Sequence, residues 1–131
     1  MYKFKMTRPS TIADAVKALQ DEDAQALGGG QTLIPTLKQR LAMPSTLVSL
    51  TGIGEMRGVC MSDAGEVCVG GATPHAVVAR EASAFPGLAA LASHIGDPAV
   101  RNRGTVGGSL ANNDPSACYP TAALASGAKI I

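Results

Sequence analysis

The chain has 131 residues, of which 46% are hydrophobic and 16% charged, and its net charge is +1. That is one domain's worth of chain, or two small subdomains sharing a ligand, with enough apolar residues for a packed core; a disordered tail is excluded. The 11 basic and 10 acidic residues are spread along the chain, which argues against nucleic-acid or anionic-membrane binding.

No apolar run approaches the roughly 20 residues that a membrane crossing needs. No apolar stretch follows Met1-Tyr2-Lys3-Phe4-Lys5, so no secretory signal is visible and a cytoplasmic protein is expected. The three cysteines, Cys60, Cys68 and Cys118, form no C-x-x-C, and neither His75 nor His94 has a histidine or cysteine at i+3 or i+4. A disulfide framework and a metal site are both unsupported.

The alternation of Tyr2, Phe4 and Met6 with Lys3 and Lys5 predicts a short strand with one wet face. Ser10 reads as an N-cap, and Ile12, Ala15, Val16 and Leu19 form the stripe of an amphipathic helix. Ala24 to Leu27 is a second strand, running into Gly28-Gly29-Gly30. Leu33, Ile34, Leu37 and Leu41 restore helical spacing, with Pro35 in the first turn. Thr46 to Leu50 reads as a third strand. The order strand, helix, strand, helix, strand predicts a small α/β unit with a parallel sheet.

The pattern then changes. Val59 and Met61 alternate, as do Val67 and Val69, around a three-residue turn, Asp63-Ala64-Gly65, which predicts a hairpin. In that register Ser62 faces Glu66, Met61 faces Val67, and Cys60 faces Cys68. The expectation is two small reduced residues on one face; a cross-strand disulfide is strained and disfavoured in a reducing compartment. Thr73-Pro74 reads as an N-cap and N1 opening a short helix through Ala79. Pro86 opens another, with a stripe of Leu88, Leu91, Ala92 and Ile95 closed by Gly96.

Two segments carry chemistry. In Gly28-Gly29-Gly30-Gln31-Thr32-Leu33-Ile34-Pro35, glycine permits close approach of backbone to a ligand, and the amides leading into a helix suit an anion such as pyrophosphate. A plain glycine-rich turn fits this loop equally well. The second segment runs from Arg101 to Pro115 and is rich in glycine, hydroxyl and amide groups, as a ligand-lining loop would be. Arg101 and Arg103 are either phosphate partners or an exposed basic turn. Asp114 is either an acceptor for a ligand hydroxyl or the start of an Asp-Pro turn. One such loop in each half suggests a dinucleotide lying between two subdomains.

These segments carry a resemblance. Gly29 to Pro35, Ile95 through Ala111 (IGDPAVRNRGTVGGSLA), and Asn113-Asp114-Pro115 through Tyr119-Pro120 are similar to the FAD-binding subunit, or medium chain, of the carbon monoxide dehydrogenase and xanthine dehydrogenase family of molybdenum hydroxylases. Order and spacing agree over the whole chain, and the long second motif is highly specific. The resemblance implies an α+β fold: a small α/β subdomain with a short parallel sheet over residues 1–55, then an antiparallel-sheet subdomain with helices over residues 56–131. This is the FAD-binding fold of the vanillyl-alcohol-oxidase or PCMH type, and here it reads as incomplete at the C-terminus, where Gly127 to Ile131 looks like the start of a strand. FAD is the implied cofactor. The implied binding residues are Leu27, Gly28, Gly29, Gly30, Gln31, Thr32, Leu33 and Ile34; Ile95, Arg103, Gly104, Thr105, Val106, Gly107, Gly108 and Ser109; and Asp114 and Cys118. The family often places Asp at the position of Cys118, which implies either a weaker hold on FAD here or a shift of that carboxylate's role to Asp114. No catalytic acid, base or nucleophile is expected from the chain.

The implied function is an oxidoreductase component that relays electrons to an external acceptor, with little activity as an isolated piece. Its implied partners are a molybdenum-cofactor large subunit and a 2Fe-2S small subunit of a heterotrimeric complex. The alternative is a truncated, non-catalytic scaffold that folds or self-associates through sheet edges without FAD. A non-redox nucleotide binder would fit the glycine-rich loops but not the long second motif.

Overall fold

A computed structural model describes residues 1–131. The first part of the chain is a three-stranded parallel sheet in the order β1-β3-β2, made of β1 (Lys5–Thr7), β2 (Ala24–Leu27) and β3 (Thr46–Ser49). Two helices, α1 (Ile12–Ala18) and α2 (Leu33–Lys38), connect these strands, as the periodicity predicts. The middle strand β3 is buried along its whole length. Successive side chains of a strand point to opposite faces. Leu47 therefore packs with Leu27 and Leu37 of α2, while Val48 packs with Ala15 of α1 and with Ile53. A helix on each face explains why both positions are apolar, the usual condition of a parallel sheet.

Two local expectations change. The N-cap of α1 is Thr11, not Ser10: its Oγ1 accepts from Asp14 N–H at 3.1 Å and donates to the Asp14 carboxylate at 2.8 Å. The apolar stripe is also narrower than its spacing implies. Ile12 and Val16 are 44% and 55% exposed, because a two-turn helix on a three-stranded sheet buries little beyond Ala15.

The second part begins after a 3-10 turn at Gly54–Met56. Strands β4 (Val59–Met61) and β5 (Val67–Val69) form the expected antiparallel hairpin, with Val59 opposite Val69, Cys60 opposite Cys68 and Met61 opposite Val67. Gly65 takes the positive φ of 79° that the turn requires. Five helices follow: α3 (His75–Glu81), α4 (Pro86–His94), α5 (Pro98–Arg103), α6 (Val106–Asn112) and α7 (Cys118–Ser126). Their core holds Val78 and Ala82 of α3, Ala92 of α4, Val106 of α6 and Tyr119 of α7, with Val59 and Val69 packed against it.

Thr73 has a different role from the one its sequence context suggests. Pro74, not Thr73, is the N-cap of α3. Thr73 is wholly buried, and its Oγ1 accepts from Gly58 N–H at 2.9 Å and donates to Gly58 O at 3.1 Å. This clasp holds the base of the hairpin to the start of α3. Thr73→Val keeps the shape but leaves both Gly58 groups without that partner. We expect a loss of about 1–3 kcal/mol, read as a lower urea midpoint at unchanged slope.

The strand expected at Gly127–Ile131 does not form. Gly127 takes φ 62° as the C-cap of α7, and Ala128 N–H bonds back to Ala123 O at 2.9 Å, so the segment closes a helix rather than opening a strand.

Candidate functional site

The carboxyl ends of the three parallel strands open onto one cleft of about 740 Å³. β1 delivers Met6 and Arg8, β2 delivers Leu27 and Gly28, and β3 delivers Ser49 and, two residues on, Thr51. This is the end of an open parallel sheet at which ligands bind. The opposite wall comes from the second part of the chain: Arg57, Ala72, Pro74, Asn102, Arg103 and Thr105.

The two glycine-bearing segments touch at the floor of the cleft. A Cβ added at Gly28 would lie 2.8 Å from Thr105 Oγ1, and one added at Gly29 would strike the Arg103 carbonyl group. Gly30 then takes φ 74° and turns the chain into α2. Gln31 Nε2 donates to Gly29 O at 3.0 Å and braces the turn.

The second segment is not the extended loop its composition suggests. It is α5, a two-residue crossing at Gly104–Thr105, and α6. Asp97 caps α5 by accepting from Val100 N–H at 2.8 Å, and Thr105 caps α6 by accepting from Gly108 N–H at 3.2 Å. The crossing is fastened to residues 71–75 through the backbone. His75 N–H donates to Gly104 O at 3.0 Å, Val106 N–H to Thr73 O at 3.2 Å, and Gly107 N–H to Gly71 O at 2.8 Å. A Cβ at Gly104 would meet His75 Nε2 at 2.5 Å, and one at Gly107 would meet Gly71 O at 2.7 Å. These two glycines therefore serve packing between chain segments.

The electrostatics of the cleft are one-sided. Arg8, Lys38, Arg57 and Arg103 line it, and no carboxylate does. The chain's single ion pair, Arg80 with Glu81, is elsewhere. No side-chain hydrogen bond engages Lys38, Arg57 or Arg103; Arg8 has only a weak contact with Met6 Sδ at 3.6 Å. Four cations facing one cleft without counter-charges favour an anionic occupant.

Eight of the residues expected to bind the cofactor line this cleft: Leu27, Gly28, Gly29, Gly30, Gln31, Ile34, Arg103 and Thr105. The others lie outside its lining. Thr32 and Leu33 turn into α2. Val106 is buried in the helical core, and Ile95 packs on that core's edge. Gly108 and Ser109 belong to the body of α6. Asp114 accepts from Ser116 N–H at 2.9 Å and from Ser116 Oγ at 2.7 Å, so it holds its own turn, and these bonds keep its carboxyl below the ordinary range. Cys118 is an exposed residue at the start of α7. Arg101 donates to Ile95 O at 3.2 Å and Gly96 O at 2.8 Å, closing the end of α4 instead of facing the cleft. Arg8, Lys38, Arg57, Ser49 and Thr51 carry no local sequence signal of a site and become neighbours only through the sheet.

Beneath the Gly104 crossing lies a small polar knot. His75 is 5% exposed and Tyr119 3%, their rings are 5.2 Å apart, and neither His75 Nδ1 nor Tyr119 Oη has a hydrogen-bond partner. Burial lowers the His75 pKa from its ordinary value and raises that of Tyr119. The folded chain therefore resists protonating His75, while the unfolded chain accepts the proton below about pH 6.5. The stability owed to neutral His75 is complete above that pH and is lost as pH falls from there through the lower folded-state value. Thermal midpoints recorded from about pH 7.5 down to 5 should fall, and His75→Gln should flatten the part of that slope due to His75.

The match to a family model, that of the FAD-binding domain in molybdopterin dehydrogenase, spans residues 2–131. The chain therefore belongs to this family of FAD-binding domains, and FAD is its cofactor. It is 40% identical over 122 residues to the carbon monoxide dehydrogenase medium chain of Afipia carboxidovorans, matching 89% of this chain and 42% of that one. It is 38% identical over 123 residues to the nicotine 6-hydroxylase medium subunit of Paenarthrobacter nicotinovorans, again 89% of this chain and 42% of the relative. Among solved structures, carbon monoxide dehydrogenase from Hydrogenophaga pseudoflava superimposes with a TM-score of 0.89 at 34% identity, over 95% of this chain and 45% of that one. The chain thus spans less than half the length of the relatives it matches. The fold class read from the sequence stands, and the relatives are oxidoreductase subunits.

Proposed function

We propose that the cleft at the sheet's carboxyl ends holds the pyrophosphate of FAD, and that the chain serves as the flavin-bearing relay of a molybdenum hydroxylase. The observation that carries this reading is the meeting of Gly28–Gln31 with Arg103–Thr105 in a cleft lined by four cations and no carboxylate. Arg8, Lys38, Arg57 and Arg103 would neutralise the two phosphate charges. The glycines bring backbone within reach of the phosphate oxygens, and Ser49, Thr51 and Asn102 offer neutral polar groups to the remainder of the ligand. FAD, when bound, supplies the redox chemistry. The chain's own part is to bind and orient it, and the cleft holds no histidine or carboxylate to act as acid or base.

The same reading assigns the chain two subdomains, residues 1–55 and 56–131. The segregation of buried cores supports it: two small clusters draw on residues up to Ile53, with Met56 at the boundary packed against one of them, and the third lies wholly between Val59 and Tyr119. It also gives the chain a molybdenum-bearing large subunit and an iron–sulfur small subunit as partners, by analogy with the multi-subunit relatives. No helix is long and apolar enough to cross a membrane.

The test is to add FAD to the purified chain, pass it through gel filtration, and record the visible spectrum of the protein peak. A co-eluting flavin band that bleaches with dithionite and returns with an electron acceptor is expected. Protein eluting without flavin, at an unchanged melting temperature in excess FAD, would favour the scaffold alternative, because a ligand that binds only the native state raises apparent stability.

A further inference from the structure

The helical core uses one face of the β4-β5 hairpin. Val59 and Val69 pack inward, while Cys60 and Cys68 are exposed on the other face as direct cross-strand partners. The ladder fixes what kind of pair they are. Ser62 N–H donates to Glu66 O at 2.8 Å, and Gly70 N–H donates to Gly58 O at 3.0 Å. Bonded and non-bonded pairs alternate along an antiparallel ladder, so Cys60 and Cys68, midway between those two pairs, are also a bonded pair. Cα atoms at such a position stand about 5.5 Å apart. Disulfides bridge Cα separations of roughly 4.4–6.8 Å. Cross-strand Cβ atoms at a bonded pair, however, stand near the long end of their range, about 5.5 Å, beyond the roughly 3.5–4.5 Å of a relaxed disulfide, so this bridge closes with strain. Both cysteines are exposed and border a surface depression of about 300 Å³, shared with Glu55, Arg57, Gly58 and Gly70, where a small reagent can enter. Cys118, the third thiol, is on α7.

We propose that Cys60 and Cys68 form a reversible oxidation site for two-electron oxidants of the peroxide class. One thiol, as thiolate, attacks a peroxide oxygen; the O–O bond breaks, a proton is taken up, and sulfenic acid and water result. The second thiolate attacks the sulfenic sulfur, the S–O bond breaks, and hydroxide leaves as water with a further proton. The sum is two thiols and hydrogen peroxide giving one disulfide and two waters. The cross-strand geometry makes the second step intramolecular. Two molecules of a small thiol such as glutathione reverse the reaction by exchange, and the strain usual for a disulfide across a bonded pair makes this one easy to reduce.

The test uses the full chain and its Cys118→Ser variant. Each is treated with roughly stoichiometric hydrogen peroxide, alkylated, digested and mapped by mass spectrometry. Both should yield one internal cross-link between the peptides carrying Cys60 and Cys68, and glutathione should restore two alkylatable thiols. Cys60→Ser and Cys68→Ser, checked for folding by circular dichroism, should each lose the internal cross-link. The proposal is overturned if Cys60 and Cys68 stay alkylatable, if they oxidise separately to sulfinic acid, or if cross-links form only through Cys118 or between molecules.

Discussion

Gly29→Ala is expected to abolish FAD retention and to cost the FAD-free chain about 1–3 kcal/mol of stability. The reason is where the new methyl group would go. It would strike the Arg103 carbonyl, which is main chain and cannot swing aside as a flexible side chain would. The strain must separate the Gly28–Gln31 turn from the Arg103–Thr105 crossing, the contact that forms the floor of the cleft. Equilibrium urea unfolding reads the stability loss, and flavin absorbance after gel filtration reads the binding loss. Gly54→Ala is the matched control, because a Cβ there meets nothing within 4 Å and should leave both readings close to wild type.

The second large effect concerns charge alone. Arg57 is exposed, faces the cleft and has no side-chain hydrogen bond or ion pair. Arg57→Ala should weaken FAD binding by about 1.5–3 kcal/mol, roughly ten- to a hundredfold in Kd, if its guanidinium contacts phosphate. The FAD-free chain should unfold within about 0.5 kcal/mol of wild type, since nothing in the folded chain depends on that charge. Fluorescence titration measures the Kd. Raising ionic strength should narrow the gap between wild type and variant, as expected of a screened interaction. An unchanged Kd would remove Arg57 from the site. Together the two substitutions separate the shape of the cleft from its charge.

Much of the architecture is legible where the determining pattern is local. The alternation around Asp63-Ala64-Gly65 specifies the hairpin down to the pairing of Cys60 with Cys68, because a three-residue turn ending in glycine leaves one register. The parallel sheet is legible from strand and helix alternation. The segment after Arg101 is harder to read. Its glycines and small polar residues suggest a loop, while the caps that make it helical, Asp97 before Pro98 and Thr105 three residues before Gly108, are signals of the same local kind. Gly104 and Gly107 look ligand-facing in sequence because close approach of a backbone and of a ligand both demand glycine; only the fold shows that His75 and Gly71 occupy those spaces. Arg8, Lys38 and Arg57 carry no local signal. Each follows or lies apart from a recognisable motif, and only the parallel sheet turns their positions toward one cleft.

Whether FAD lies where these two segments meet is read from amide hydrogen exchange on the purified chain with and without saturating FAD. Slower exchange is expected in the peptides covering Gly28–Gln31 and Arg103–Thr105, with little change across the hairpin turn at Asp63–Gly65. Protection confined to Asp114–Cys118, or absent from both glycine-bearing segments while flavin remains bound, would contradict that placement of FAD.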